Sequence, residues 1–415
     1  MGLLDRLFGR APTMDKLVRD MARRLQARGA EDVRARPERG EIAYRLYGDT
    51  RNMFLANLLH DLQHGARAER PALIERFLES GLAPADAIPR RYEDAKARLM
   101  PIVRCRADIG LAALTQATAG DGDGDESEPP SSAQRPASQP LVGDLVVALV
   151  CDLPTAMVYV NEQTLAEWEV GFGQALDDAL QNLRGLPEQG GWKQLGDGVW
   201  SGEWGDSYDS SRLLLPDLIH RVGVRDPVAV VPFRNALMLT GADNADGIVR
   251  MAKVIADAAG DNQRWLSFQL LRLQDTRWVA HAPLVAADAW HELRLRDASR
   301  NDEQQKQLLD ALHERRKVDL WVASSQMLSR PDLGTLSFAI WSRDVDTLLP
   351  HTEFVLFNPG GEDLSATLLV PWDDAVAIAG ELMEPTHHVP ERRRVRRFPD
   401  DAQWLQLKGR ALALG

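Results

Sequence analysis

Asp144-Leu145-Val146-Val147-Ala148-Leu149-Val150-Cys151 is a near-continuous apolar run, and the fold class is read outward from it. A run of this length, rich in valine and bounded by turn residues, is a strand buried on both faces. Met157-Val158-Tyr159-Val160 follows as a second strand. Apolar residues then recur at helical spacing in Phe172, Ala175, Leu176, Ala179, Leu180 and Leu183, and Gly185 and Pro187 end the helix. The order is strand, strand, helix.

The same order recurs on both sides. Toward the C-terminus, strands near Trp192–Leu195 and Val199–Trp204 precede a helix near Arg212–His220. Strands at Val228–Val231 and Ala236–Leu239 precede a helix from Asp246 to Ala259. Trp265–Leu273 and Arg277–Ala280 read as a hairpin. A polar stretch, Arg296 to Gln307, leads into a helix ending near Arg316. The last segment offers strands at Val318–Ala323, Leu336–Trp341, Glu353–Phe357 and Thr367–Val370, then a helix from Asp373 to Met383. Toward the N-terminus, Met14, Leu17, Val18, Met21, Ala22 and Leu25 mark a helix with Thr13 as N-cap and Gly29 as stop. Val33 and Ala35, then Ile42, Tyr44 and Leu46, alternate about the turn Pro37-Glu38-Arg39-Gly40 as a hairpin. Helices over about 52–64 and 71–79 follow.

Repeated strand-strand-helix units predict an α+β protein in which antiparallel sheets are covered by helices. A chain of 415 residues is long for one core, so two or three domains are expected. Residues 117–140 change character abruptly, through Gly120-Asp121-Gly122-Asp123-Gly124-Asp125-Glu126 and Pro129-Pro130-Ser131-Ser132. Such a stretch buries too little apolar surface to offset its ordering entropy and reads as a disordered acidic linker. Its Asp-Gly alternation lacks the glutamate that closes a calcium-binding loop. The expected division is an N-terminal α+β segment over 1–116, the linker over 117–140, a central α+β domain over 141–298 and a C-terminal α+β domain over 299–415.

Composition narrows the function classes. Hydrophobic residues at 44% with 27% charged describe a globular chain. A net charge of −12 argues against a general nucleic-acid binder. Cys105 and Cys151 are the two cysteines, which excludes a disulfide framework and suits a reducing cytoplasm. No stretch approaches eighteen apolar residues, so no membrane span is expected. The N-terminal Met1-Gly2-Leu3-Leu4-Asp5-Arg6-Leu7-Phe8 lacks the features of a signal peptide and reads as a short amphipathic turn.

Asp206-Ser207-Tyr208-Asp209-Ser210-Ser211-Arg212-Leu213, followed by Asp226-Pro227-Val228-Ala229-Val230-Val231-Pro232, resembles the domain of unknown function 1444 family, the YtpQ-like bacterial proteins. Leu99-Met100-Pro101-Ile102-Val103-Arg104 and Asn182-Leu183 add to the resemblance, which covers about 97–285. The long acidic stretch, Ser210 in place of an expected alanine, and everything after about 300 depart from that pattern. The resemblance implies a cytoplasmic bacterial protein and brings no activity with it.

Candidate chemistry centres on the same turn. Asp206 and Asp209 lie three residues apart beside Tyr208, Ser211 and Arg212. Such a cluster either holds a divalent cation or an acid–base pair, or caps the following helix through Asp209 or Ser210 while Arg212 answers a carboxylate. Trp200 and Trp204 lead into it, on one face of their strand by alternation, as pocket wall or as core. Other motifs carry less. His60-Asp61-Leu62-Gln63-His64 has the histidine spacing of a zinc protease, but aspartate stands where that chemistry needs glutamate. Arg104-Cys105-Arg106 offers a thiol flanked by cations. Arg392-Arg393-Arg394-Val395-Arg396-Arg397-Phe398 reads as a solvated basic edge. Phosphate loops and a G-x-S-x-G elbow are absent. These readings favour a non-enzymatic interaction or regulatory protein with a possible protein partner, and no nucleic acid, membrane, metal or cofactor is assigned. The alternative is a metal-dependent or acid–base enzyme acting through Asp206 and Asp209.

Overall fold

A computed structural model describes residues 12–64, 67–82, 88–119, 131–133, 135–153, 157–187, 190–259, 265–360 and 366–412. The protein is α+β. The first helix, α1 (Met14–Ala27), lays Leu17, Val18, Met21 and Leu25 on a three-stranded antiparallel sheet of β1 (Glu31–Arg36), β2 (Glu41–Leu46) and β3 (Asp49–Phe54). Two further helices, α2 (Ala56–His64) and α3 (Arg70–Leu82), add Leu58, Leu62, Ile74 and Leu78 to that core. The expected helix over 52–64 therefore begins only at Ala56. Its first residues belong to β3, which turns the hairpin into a three-stranded sheet. Ile42, Tyr44 and Met53 face the helices, while Arg34, Arg36, Glu41, Ala43, Asn52 and Phe54 fall on the other face by register.

Next come α4 (Tyr92–Ala95), β4 (Leu99–Cys105), α5 (Arg106–Ala119), β5 (Ser138–Val142), β6 (Leu145–Asp152), β7 (Met157–Tyr159), α6 (Glu162–Glu167) and α7 (Phe172–Arg184). The apolar run read first is β6, and it is the centre of its sheet. It pairs antiparallel with β4 on one side and with β5 and then β7 on the other. Sheet pairing thus joins residues on both sides of the acidic stretch and crosses the expected 116/141 boundary. Residues 138–140, expected within the linker, are the first part of β5. The acidic core of that stretch, 120–130, lies outside the described residues, as does the N-terminal turn over 1–11.

A six-stranded sheet, ordered β13-β12-β10-β11-β9-β8, is antiparallel throughout. Its strands are β8 (Gly191–Gly196), β9 (Val199–Glu203), β10 (Pro227–Val230), β11 (Met238–Gly241), β12 (Leu271–Gln274) and β13 (Arg277–Ala280). Between β9 and β10 lie a 3₁₀ turn (Ser210–Leu214) and α8 (Pro216–His220), and after β11 comes α9 (Ala245–Ala258). The helix expected near Arg212 is split, because Pro216 at its first turn restarts the backbone after Leu215.

One 30-residue helix, α10 (Ala287–Arg316), then runs through the expected boundary at 298 and makes the polar stretch Arg296–Gln307 helical. Its buried face mixes Trp290, Leu293, Leu309 and Leu312 with Asp297, Asp302, Gln305 and His313, which hid its period in the sequence. The remaining strands are β14 (Trp321–Val322), β15 (Gln326–Arg330), β16 (Gly334–Ser342), β17 (Thr347–Pro350), β18 (Phe354–Asn358), β19 (Leu368–Pro371), β20 (Met383–Pro385) and β21 (Arg392–Val395). They form two four-stranded sheets, β14-β17-β21-β20 and β15-β16-β18-β19, with α11 (Trp372–Ala379) and α12 (Asp401–Lys408) packed on their core. Pairs β14–β17 and β16–β18 are parallel, against the antiparallel expectation. The basic run expected as a solvated edge is in part strand β21, with Arg392 fully buried.

Candidate functional site

The turn from Glu203 to Arg212 is built from side chains reaching back onto its own backbone. Gly205 and Ser207 both adopt positive φ, which reverses the chain after β9. Asp209 does not cap the following turn. Its Oδ1 instead accepts the Trp204 amide at 2.7 Å and the Gly205 amide at 3.4 Å. Asp206 accepts the Tyr208 amide at 3.0 Å and both Arg212 Nη groups, at 2.8 and 2.5 Å. The Arg212 guanidinium lies 4.4 Å from the centre of the Trp204 ring, whose other neighbour is the edge of Trp192.

Every other member of the cluster ties this turn to a neighbour. Tyr208 donates its hydroxyl to Asp152 Oδ2 at 2.7 Å, at the end of β6. Ser211 Oγ accepts the Val103 amide of β4 at 3.3 Å, and Ser210 donates to the Arg234 carbonyl at 2.8 Å. Asn182 on α7 donates to the Lys96 carbonyl just before β4 and to the Leu99 carbonyl at its first residue, both at 2.8 Å. Tyr208, Asp209, Ser211 and Arg212 are buried. Burial alone would raise the Asp206 carboxyl. The Arg212 guanidinium and the Tyr208 amide outweigh it and hold the group below the ordinary carboxylate value. Burial and the Asp152 hydrogen bond raise the Tyr208 hydroxyl.

This arrangement brings the expected residues together but occupies them. A divalent cation needs carboxylate oxygens to give it, and here Asp206 is clasped by a bidentate arginine and Asp209 by two amides. Trp200 and Trp204 do share a side of the strand, but Trp204 folds over Gly202, where an added Cβ would stand 2.4 Å from its ring. The pocket-wall expectation gives way to packing. Trp200 is half-buried in the core beneath the six-stranded sheet.

Cys105 and Cys151 are both buried free thiols. Burial, with Asp144 and Asp297 nearby, pushes the Cys105 thiol up, so the flanking arginines do not activate it. The histidines of the 60–64 motif lie on α2, and their side chains are outside the described residues. No group of three or more His, Cys, Asp or Glu side chains suited to a metal ion occurs among the described residues.

Two concavities were not visible in the sequence. The wider, about 1430 Å³, lies between the open face of the β1–β3 sheet and helices α5 and α10. Six arginines and six acidic residues line it, with Phe54, Leu111, Trp265 and Leu308 between them. The smaller, about 750 Å³, is walled by the β4–α5 junction, the start of β6, one side of α10 and residues 386–391. Asp144, Asp297 and Asp302 open into it. Asp297 is in helical phase with Trp290 and Leu293, and that coincidence was the signal for a buried acid.

Comparison with protein families, with curated proteins and with solved structures found no match. Among the described residues, no helix is long and apolar enough to cross a membrane.

Proposed function

We propose that this chain is a non-enzymatic interaction protein of the bacterial cytoplasm, and that it receives a protein partner in the cleft between the β1–β3 sheet and helices α5 and α10. The observation that carries the reading is the character of that cleft. At about 1430 Å³ it exceeds the ~300–1,000 Å³ of small-molecule pockets, which suits a polypeptide segment. Its arginines and acids balance, and several are already paired, as in Arg36–Glu41 at 3.2 Å and Arg234–Asp108 at 3.0 Å. A neutral, ion-paired lining offers little to a polyanion such as nucleic acid. Phe54, 41% exposed on the open sheet face, supplies the aromatic anchor that protein interfaces favour.

Kinship with the domain of unknown function 1444 family belongs to the same proposal. It draws support from the way the resembling segments fold together, through the Asn182–Leu99, Ser211–Val103 and Tyr208–Asp152 hydrogen bonds. The enzymatic alternative loses its carboxylates to Arg212 and to backbone amides.

The test is affinity purification from the native host with cross-linking mass spectrometry, using wild type and a Phe54→Glu/Leu308→Glu variant of unchanged circular dichroism. A stoichiometric partner cross-linked to β1–β3 or α10 in wild type and lost in the variant is expected. A partner retained by the variant, with cross-links elsewhere, would remove the cleft from the proposal.

A further inference from the structure

The smaller cleft contains two buried carboxyl groups whose arginine neighbours, Arg300 and Arg392, offset their burial only in part. Asp297 is 7% exposed and Asp302 3%, and both sit on α10 with the cleft in front of them. Neither carboxylate is within hydrogen-bond or salt-bridge distance of a donor among the described residues; Arg300 acts on Asp297 and Arg392 on Asp302 only at longer range. Asp144, across the cleft, is different: Ser267 donates its hydroxyl to Oδ1 at 2.8 Å, and the Cys105 thiol lies 3.8 Å from Oδ2. Burying a carboxylate without a donor costs several kcal/mol, on the order of what a whole salt bridge recovers. Two such groups on one helix, five residues and about 7.5 Å of rise apart, are a cost that a donor arriving from outside would remove.

We infer that this cleft binds an alkylammonium ligand, whose ammonium is taken by Asp297 and whose methylenes lie against Phe268, Val389 and Pro390, with Asp302 placed to take the second ammonium of a diamine. An organic cation fits better than a metal ion, because no group of three His, Cys, Asp or Glu ligands suited to a metal occurs among the described residues. The volume, about 750 Å³, lies in the range of small-ligand sites. The inference does not rest on the partner cleft, with which this cleft shares only Asn301 in its lining.

The charged surroundings agree in sign. Burial, then the carboxylates of Asp144 and Asp108, push the Asp297 carboxyl up to about 8, and Arg300 only partly opposes them. Burial pushes Asp302 up to about 7 against the pull of Arg392. His351, His387, His388 and Glu391 line the cleft on the C-terminal side, with Arg106 and Arg294 also in its walls. At neutral pH Asp297 is largely protonated and Asp302 about half so; an ammonium group displaces these protons, so binding releases roughly one proton and strengthens as pH rises.

The experiment is isothermal titration calorimetry of the full chain with 1,4-diaminobutane and with N-acetyl-lysine amide, in buffers of different ionisation enthalpy. Saturable binding is expected, tighter at about pH 8 than at about pH 6, with net proton release and a loss of about tenfold or more for both probes in Asp297→Asn and for the diamine in Asp302→Asn. A tighter diamine assigns the group to a free diamine, and a tighter lysine derivative to a side chain of another polypeptide. Absence of binding to wild type at about 1 mM of either probe overturns the inference, as does equal binding by both asparagine variants. Asparagine keeps the side-chain shape and removes a buried charge. If either variant nonetheless unfolds, wild-type binding without proton release overturns the inference by itself.

Discussion

Replacing Arg392 with methionine tests how the C-terminal sheets are held to α10. The Arg392 side chain is fully buried in β21 and makes four hydrogen bonds. Its Nε donates to Gln305 Oε1 at 2.5 Å, Nη1 to the Ala323 and Leu348 carbonyls at 2.7 and 3.1 Å, and Nη2 to the Asp302 carbonyl at 3.0 Å. Burial lowers its pKa to about 10, so it stays charged at neutral pH, helped by Asp302, Asp310 and Glu303. Methionine keeps the length and apolar stem but removes all four donors. Not every acceptor is then orphaned. Leu348 still receives the Ala323 amide at 3.1 Å, and the Asp302 carbonyl lies mid-helix, where residue 306 serves it. Ala323 and Gln305 Oε1 lose their donor, at about 1–3 kcal/mol each. Returning the guanidinium to water in the unfolded reference offsets part of this, so a net loss of about 3 kcal/mol is expected. Urea unfolding followed by tryptophan fluorescence, in the transition that carries Trp341 and Trp372, measures it. A loss under about 1 kcal/mol, or a gain, would mean that desolvating the arginine costs as much as its bonds return, and the reasoning would fail.

Three further outcomes follow from particular contacts. Gly110 on α5 should not tolerate alanine, because the new Cβ would stand 2.2 Å from the Val389 carbonyl oxygen. The usual helix gain of about 1 kcal/mol is then outweighed by an overpacking cost of about 1–3 kcal/mol, and faster hydrogen exchange over 386–391 is the readout, with unchanged exchange counting against the contact. Arg212→Lys replaces the bidentate clasp on Asp206 and the stack on Trp204 by a point charge, and should cost about 1–3 kcal/mol in urea, whereas a change below about 0.5 kcal/mol would show the turn does not need the fork. Asp297 and Asp302 have folded pKa values raised to about 8 and about 7, so the native state holds protons the unfolded chain has lost. Their contribution to stability is therefore lost as pH rises from about 4 through those values, at about 1.4 kcal/mol per pH unit per group, and Asp297→Asn should flatten that slope. Titration of unfolding free energy between about pH 5 and 8 decides it, since an identical slope in the variant would place the carboxyl in contact with water.

What was legible in the sequence was whatever apolar periodicity alone determines. The Leu17–Leu25 face of α1, the valine-rich β6, the spacing of α7 and the β12–β13 hairpin were all readable, and with them the α+β class. The elements that escaped are those whose buried positions are polar. β3 presents Met53 to the core but Asn52 and Phe54 to a cleft, so its alternation merged with the helix that follows. β21 begins with three arginines, and the first is buried by four hydrogen bonds rather than by apolar contact. α10 carries Asp297, Asp302, Gln305 and His313 inward, which broke the stripe a helix search looks for. The Asp206–Arg212 cluster was found, because its residue types are conspicuous. Its occupancy was not, since that depends on Val103, Asp152 and Trp204 arriving from other strands and turns.

One criterion separates scaffold from site in both polar clusters. A buried polar group that is satisfied within the chain has already spent its hydrogen-bonding capacity, and opening it to a ligand costs what it now makes. Arg212, Asp206 and Asp209 are satisfied in this sense. So is Gln305, between the Pro390 carbonyl at 2.8 Å and Arg392, and so is His313, 3.0 Å from the Leu320 carbonyl. These residues fasten sheets and helices together. Asp297 and Asp302 stand on the same helix as Gln305 and His313, as deeply buried, yet nothing in the described chain donates to their carboxylates. A leucine or an asparagine at either position would hold α10 more cheaply. Asp302 helps to keep Arg392 charged, and beyond that the two aspartates set a pair of strong acceptors in the wall of an open volume, which is what the proposed ammonium site requires.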